Sequence, residues 1–193
     1  MDISINKCDT ENKIKLFVDS FGDSEKTAKE FFSCDGIITV TECVGNRLAA
    51  MASLVPIYAQ NATALGRIRG YYIYGVCVDK EHRGVGLFSA IMKKAEEQAV
   101  KGNADFVCLI PADSKLEATY RKWGYSVEIL NVHNKESFDK NIFIDAPDFR
   151  EFAIPSEDAP DLQRMCGLMK VFNKTAFDPN DREFAFGDFM GDI

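Results

Sequence analysis

Apolar residues first recur at helical spacing at Ile14, Phe17, Val18 and Phe21, which predicts an amphipathic helix over 10–21 with Thr10 as its N-cap. A shorter helix is expected from Asp23 or Ser24 to Ser33, turning Ala28, Phe31 and Phe32 inward and broken by Gly36. The pattern then changes to β-branched and apolar runs, Ile37–Val44 and Leu48–Tyr58, around Gly45-Asn46, which reads as a hairpin. Gln60–Gly70, with Arg67 and Arg69, is expected to be a loop before the strand Tyr71–Val78. Helical spacing returns from Leu87, with Phe88, Ile91, Ala95 and Ala99 on one face. Gly102 is the expected left-handed terminator of that helix. Phe106–Ile110 is the next strand, and strand, glycine loop, helix, strand makes a parallel pair with a right-handed crossover. A short helix, Ser114–Lys122, and a strand, Tyr125–Val132, follow.

Beyond that point the pattern is weaker. Asp145–Pro160 mixes acids with three prolines and reads as an irregular surface crossing. Cys166–Phe172 has strand character and is expected to complete the sheet beside Tyr125–Val132. The Phe-rich segment Phe184–Met190 is expected to pack against the open side of a substrate cleft or against a second subunit, because contiguous apolar patches are rarely left bare. No repeat or low-complexity run divides the 193 residues, so one α/β domain over 1–193 is expected. Its core is 71–125 and its C-terminal strand and tail occupy 160–193.

Composition narrows the classes. An apolar fraction of 46% with 27% charged residues is that of a globular protein. A net charge of -7 argues against a nucleic-acid surface, which needs a basic stripe to neutralise phosphates. No leader-like N-terminus and no run near the ~18 apolar residues of a membrane span are present, so a cytoplasmic protein is expected. The six cysteines lack C-x-x-C spacing and only His82 and His133 could join them, so no metal is expected.

Two constellations carry chemistry. The first is Arg83-Gly84-Val85-Gly86-Leu87-Phe88 at a helix start, where unpaired amides and the helix dipole suit a phosphate and the glycines let it approach. The Walker pattern is absent, and the dinucleotide fingerprint fails because Phe106 stands where its acid should be. The second runs from Asp113 to Tyr125 and carries Tyr120 on a helix four residues before Gly124. Taken alone, each has a plain structural reading: a strand-to-helix turn, and a half-buried core tyrosine.

Together, in this order, they resemble the GNAT superfamily of acyl-CoA N-acyltransferases, closely over Tyr71–Tyr125 and loosely before it. The resemblance implies a central, mixed, partly splayed β-sheet flanked by helices. It implies acetyl-CoA as co-substrate, with Val76 and Val78 offering main-chain groups to the pantetheine arm. It also implies Arg83, Gly84, Val85, Gly86, Leu87 and Phe88 around the pyrophosphate, and Tyr120 as the acid that protonates the departing thiolate. The family's loop ends in a small residue where this chain has Phe88, and its frequent Asn seven positions before the tyrosine is Asp113 here. The implied activity is N-acetylation of a primary amine on a small molecule or peptide, by a monomer or homodimer. The alternative is a GNAT-like module that binds acyl-CoA without turnover. The general base is not legible; Glu42 and Glu128 are candidates only as acids on predicted strands. His82 is an exposed loop residue or a phosphate contact, and one face of Tyr71, Tyr72 and Tyr74 could line the acceptor pocket.

Overall fold

Asp9, not Thr10, opens the first helix. Its backbone is still non-helical, and its carboxylate accepts the Glu11 amide at 3.1 Å, while Thr10 already sits in the first turn. In the computed structural model, residues 9–60, 67–130, 140–146, 149, 167–177 and 184–186 are described. Helix α1 (Thr10–Phe21) is followed by α2 (Glu25–Ser33), where Ser24 accepts the Thr27 amide at 3.0 Å. The hairpin forms as expected from β1 (Ile38–Val44) and β2 (Arg47–Gln60), with Val44 opposite Arg47.

Strand β3 (Arg67–Val78) begins earlier than predicted. Arg67–Gly70 is not loop, because β2 runs on to Gln60 and pairs with it residue for residue. The Arg67 guanidinium also lies 4.1 Å from the centroid of the Tyr58 ring. Helix α3 (Leu87–Lys101) ends at Gly102, whose φ of −78° is not left-handed; Asn103, at φ 58°, takes that conformation instead. Glycine at 102 gives room to a neighbour: a Cβ there would fall 2.8 Å from the Tyr71 hydroxyl oxygen, which would have to shift.

The remaining elements are β4 (Phe106–Leu109), α4 (Ser114–Lys122), β5 (Val127–Leu130), β6 (Lys140–Ile144), β7 (Gly167–Val171) and β8 (Phe184–Phe186). Among the described residues the strands form one mixed sheet in the order β1-β2-β3-β4-β7-β5-β8-β6, and β6 pairs back onto β2. The β3–β4 pair is parallel, as strand–helix–strand order required. Strand β7 does lie beside β5, but it also pairs with β4, so it is wedged between them rather than added outside. Phe184–Phe186 of the tail is a strand between β5 and β6, not a cover for the cleft; the rest of Phe184–Met190, most of 145–160 and His133 lie outside the described residues.

Side chains alternate across this sheet. One face buries Tyr72, Phe106 and Cys108 with Phe17 of α1, Phe31 of α2 and Phe149. The other buries Ile73, Val107 and Leu109 with Ile91, Met92, Ala95 and Ala99 of α3 and Tyr120 of α4. Each fully buried large side chain contributes roughly 1.5–3 kcal/mol of hydrophobic stabilisation. No helix among the described residues is long and apolar enough to cross a membrane.

Candidate functional site

A break in the sheet creates the site. From Gly70 to Tyr72, β3 pairs with β4; from Ile73 onward no β4 residue faces it, so the edge of β3 toward β4 is open. On its other edge β3 carries a bulge. Met51 faces Cys77 and Ser53 faces Tyr74, so three steps on β3 match two on β2. Gly75 sits in the bulge at φ +61°, a conformation that only glycine takes readily.

The open edge forms one wall of a cleft of about 660 Å³. Val76, Cys77 and Val78 line it from β3, and His82, Arg83, Gly84 and Gly86 from the loop that follows. Leu87 and Phe88 contribute from the start of α3; Asp113, Lys115, Leu116 and Thr119 from the start of α4; and Ser20 and Phe21 from the end of α1.

Gly84 and Gly86 are both left-handed, at φ +82° and +85°, and a Cβ on either would meet nothing within 4 Å. The left-handed backbone favours glycine at both positions, and the space beside them is open. Gly86 is the N-cap of α3 and makes no side-chain capping bond, so the first amides of a 15-residue helix are left to an external acceptor. Arg83 is held at the mouth by its Nε, which donates to the Val78 carbonyl at 3.2 Å.

Although the chain is strongly acidic, this cleft is not. Arg83 and Lys115 line it, and Asp113 is the single lining carboxylate among the described residues. Asp113 is the N-cap of α4 and accepts the Leu116 amide at 2.7 Å. A local cationic balance in an anionic protein suits an anionic ligand.

The cleft holds a thiol as well. Cys77 is buried, and that burial pushes its thiol up to about 12, partly offset by hydrogen bonds from the Ser20 side chain and the Met51 backbone. It therefore stays neutral. His82 lines the cleft with its Nδ1 buried, without a hydrogen-bond partner and 3.8 Å from an Asp79 carboxylate oxygen.

Of the residues singled out in the sequence, Val76, Val78, Arg83, Gly84, Gly86, Leu87, Phe88 and Asp113 meet in this one cleft. Val85 is 71% exposed and is not a lining residue. Tyr120 is only 5% exposed and is not a lining residue. It lies behind Phe88, with ring centroids 6.0 Å apart, and burial raises its hydroxyl to about 12. Neither glutamate faces the cleft: Glu42 pairs with Lys94 at 2.9 Å and Glu128 with Arg121 at 2.6 Å. Tyr72 and Tyr74 join the aromatic cluster of Phe17, Phe31 and Phe149 instead of lining the cleft. Sequence reasoning missed Ser20, Phe21, Cys77, Lys115, Leu116 and Thr119. Ser20 and Phe21 carried no local signal, because only the docking of α1 on β3 brings them here.

Comparison with known proteins bears on the family and the fold. A family model described as an acetyltransferase (GNAT) domain matches residues 3–127. Among solved structures, a GNAT family N-acetyltransferase from Escherichia coli in complex with CoA superposes with a TM-score of 0.58 at 11% identity, over 97% of this chain and 90% of that one. An aminoglycoside 6'-N-acetyltransferase from Acinetobacter haemolyticus gives 0.54 at 15% identity, over 72% of this chain and 100% of that one. A GCN5-related N-acetyltransferase from Kribbella flavida gives 0.50 at 22% identity, over 64% of this chain; the matched part is 33% of that longer relative. No curated protein matches the chain.

Proposed function

We propose that this chain, which belongs to the GNAT acetyltransferase domain family, transfers an acyl group, most simply acetyl, from acyl-CoA to a primary amine of a small molecule or peptide. One observation carries the reading. The open edge of β3 and the uncapped, glycine-lined start of α3 face a single cationic cleft. An extended arm with amide groups suits the strand edge, and a pyrophosphate suits the helix start.

The residues fit acyl-CoA on their own terms. Gly84 and Gly86 leave empty space where a Cβ would stand, Arg83 and Lys115 supply cations, and Val76 and Val78 lie at the open edge. Bound acyl-CoA supplies an activated thioester. The Val76 amide would then donate to the carbonyl oxygen as charge builds there. Tyr120 would give its proton to the leaving sulfur, and regain one released by the attacking nitrogen through water. Because burial holds the Tyr120 phenol near 12, it stays protonated across the working pH range. Among the described residues the one lining carboxylate, Asp113, is committed to capping α4, so we assign deprotonation of the amine to water.

The acceptor itself is proposed to enter beside Ser20 and Phe21, the lining residues that α1 contributes. The same reading takes the chain as one cytoplasmic domain, alone or as a homodimer, and without a metal. A non-catalytic acyl-CoA module is the second reading, favoured by the concealment of Tyr120 behind Phe88.

The test is thiol release from acetyl-CoA with a panel of primary amines, run beside Tyr120→Phe. Turnover that drops roughly 10- to 10⁴-fold in the variant, with CoA affinity retained, supports the enzyme. CoA binding without turnover on any amine supports the module, and absence of CoA binding ends both.

A further inference from the structure

Phe88 departs from the small residue that the family's loop pattern carries, and the fold shows where its ring goes. It lines the cleft and also packs into the core. It leans onto Trp123, with centroids 5.4 Å apart and planes 31° apart, and onto Tyr120 at 6.0 Å. Tyr120 in turn meets Trp123 edge-on at 6.4 Å and Tyr125 edge-on at 5.7 Å. Among these four rings, Phe88 alone also lines the cleft. Tyr120 is therefore held by aromatic packing, and the cleft-side wall of that packing is Phe88.

From this we infer that Phe88 is a positioning residue: its ring packs over Tyr120 on the cleft side, shields the phenol there and fixes its direction. The inference rests on the reading of Tyr120 as the acid. It gives the unusual residue a task, because Tyr120 loses orientation and burial on its cleft side when the Phe88 ring is removed. Tyr125 is anchored from the far side, donating to Glu96 at 2.9 Å, and Lys170 donates to the same carboxylate at 2.7 Å. Glu96 and Lys170 are the charged groups of this surround, and they pair with each other, which leaves burial as the cause of the raised Tyr120 hydroxyl.

The experiment compares Phe88→Ala, Phe88→Leu, Tyr120→Phe and the double variant Phe88→Ala/Tyr120→Phe. Two measurements are made: steady-state acetyl transfer, and titration of tyrosinate absorbance in the ligand-free proteins. Phe88→Ala is expected to lower kcat roughly 10- to 100-fold, the scale of a misplaced catalytic group, with KM for acetyl-CoA changed far less. Phe88→Leu, which keeps apolar bulk, should recover part of that loss. In the Tyr120→Phe background the Phe88→Ala change should alter kcat by less than about twofold, since the group it positions is gone. In the ligand-free protein, Phe88→Ala should bring one further tyrosine into titration near its ordinary ~10, and the double variant should lack it. Equal losses from Phe88→Ala with and without Tyr120, or no new titrating tyrosine in Phe88→Ala, would overturn the positioning role. An undiminished Tyr120→Phe would instead overturn the acid role, which this comparison reads separately. If Phe88→Ala does not fold, the same two readouts on Phe88→Leu decide, with a partial kcat loss confined to the Tyr120 background expected.

Discussion

Replacing Gly75 by alanine tests the claim that the β3 bulge builds the cleft. Gly75 has φ +61°, and an added Cβ would lie 3.0 Å from a Phe17 ring carbon. The left-handed backbone costs a non-glycine residue about 1–2 kcal/mol. Phe17 cannot easily retreat: it is 2% exposed and ringed by Phe21, Phe31, Phe32 and Tyr74 at centroid distances of 4.7–6.2 Å. Forcing it aside adds an overpacking cost of about 1–3 kcal/mol. The sum is about 2–5 kcal/mol, which for a chain of this size lowers Tm by roughly 4–20 °C. Gly22→Ala is the control, because Gly22 is also left-handed, at φ +78°, yet a Cβ there meets nothing within 4 Å. It should lose only the backbone part, so the difference between the variants isolates the Phe17 contact, and Phe17→Leu in the Gly75→Ala background should recover some of it. Calorimetry with CoA supplies the functional half: affinity should fall in Gly75→Ala, whose bulge aims Val76 at the cleft, and hold in Gly22→Ala. Equal Tm losses with unchanged CoA affinity in both would refute the reasoning.

Gly86→Glu should abolish CoA binding in calorimetry, since it strains a backbone at φ +85° and places a carboxylate where the pyrophosphate would lie. Stability should fall on the alkaline side: Cys77 and Tyr120 are raised from 9.0 and 10.0 to about 12, so the stability they contribute is intact below those ordinary values and is lost as pH climbs toward 12. Tm measured against pH should accordingly decline more steeply above about pH 9 in the parent than in Cys77→Val. Truncation before residue 183 should lower Tm rather than merely alter acceptor preference, because it removes β8, whose Phe184 is 4% exposed between β5 and β6. An unchanged melting curve would show that strand to be dispensable.

What the sequence by itself determined was local. Hydrophobic spacing defines α1 through Phe17 and α3 through Ile91, Ala95 and Ala99, and the Gly45-Asn46 turn and the strand–helix–strand order follow from short-range chemistry. The Arg83–Phe88 loop was legible for the same reason, since left-handed glycines before a helix leave a mark in the sequence itself. Tertiary structure decided the rest. That β7 enters between β4 and β5, that β8 joins the sheet and that Ser20 and Phe21 reach the cleft are outcomes of packing between distant segments, and no spacing rule encodes them. The N-cap at Asp9 rather than Thr10 turned on one residue's backbone angle, and glycine at 102 on the approach of Tyr71. The place of Tyr120 is the sharpest case. Its position on α4 was readable from the motif, but its distance from the cleft depends on where the ring of Phe88 rests, and that is settled only when Trp123, Tyr125 and Phe88 compete for the same buried space.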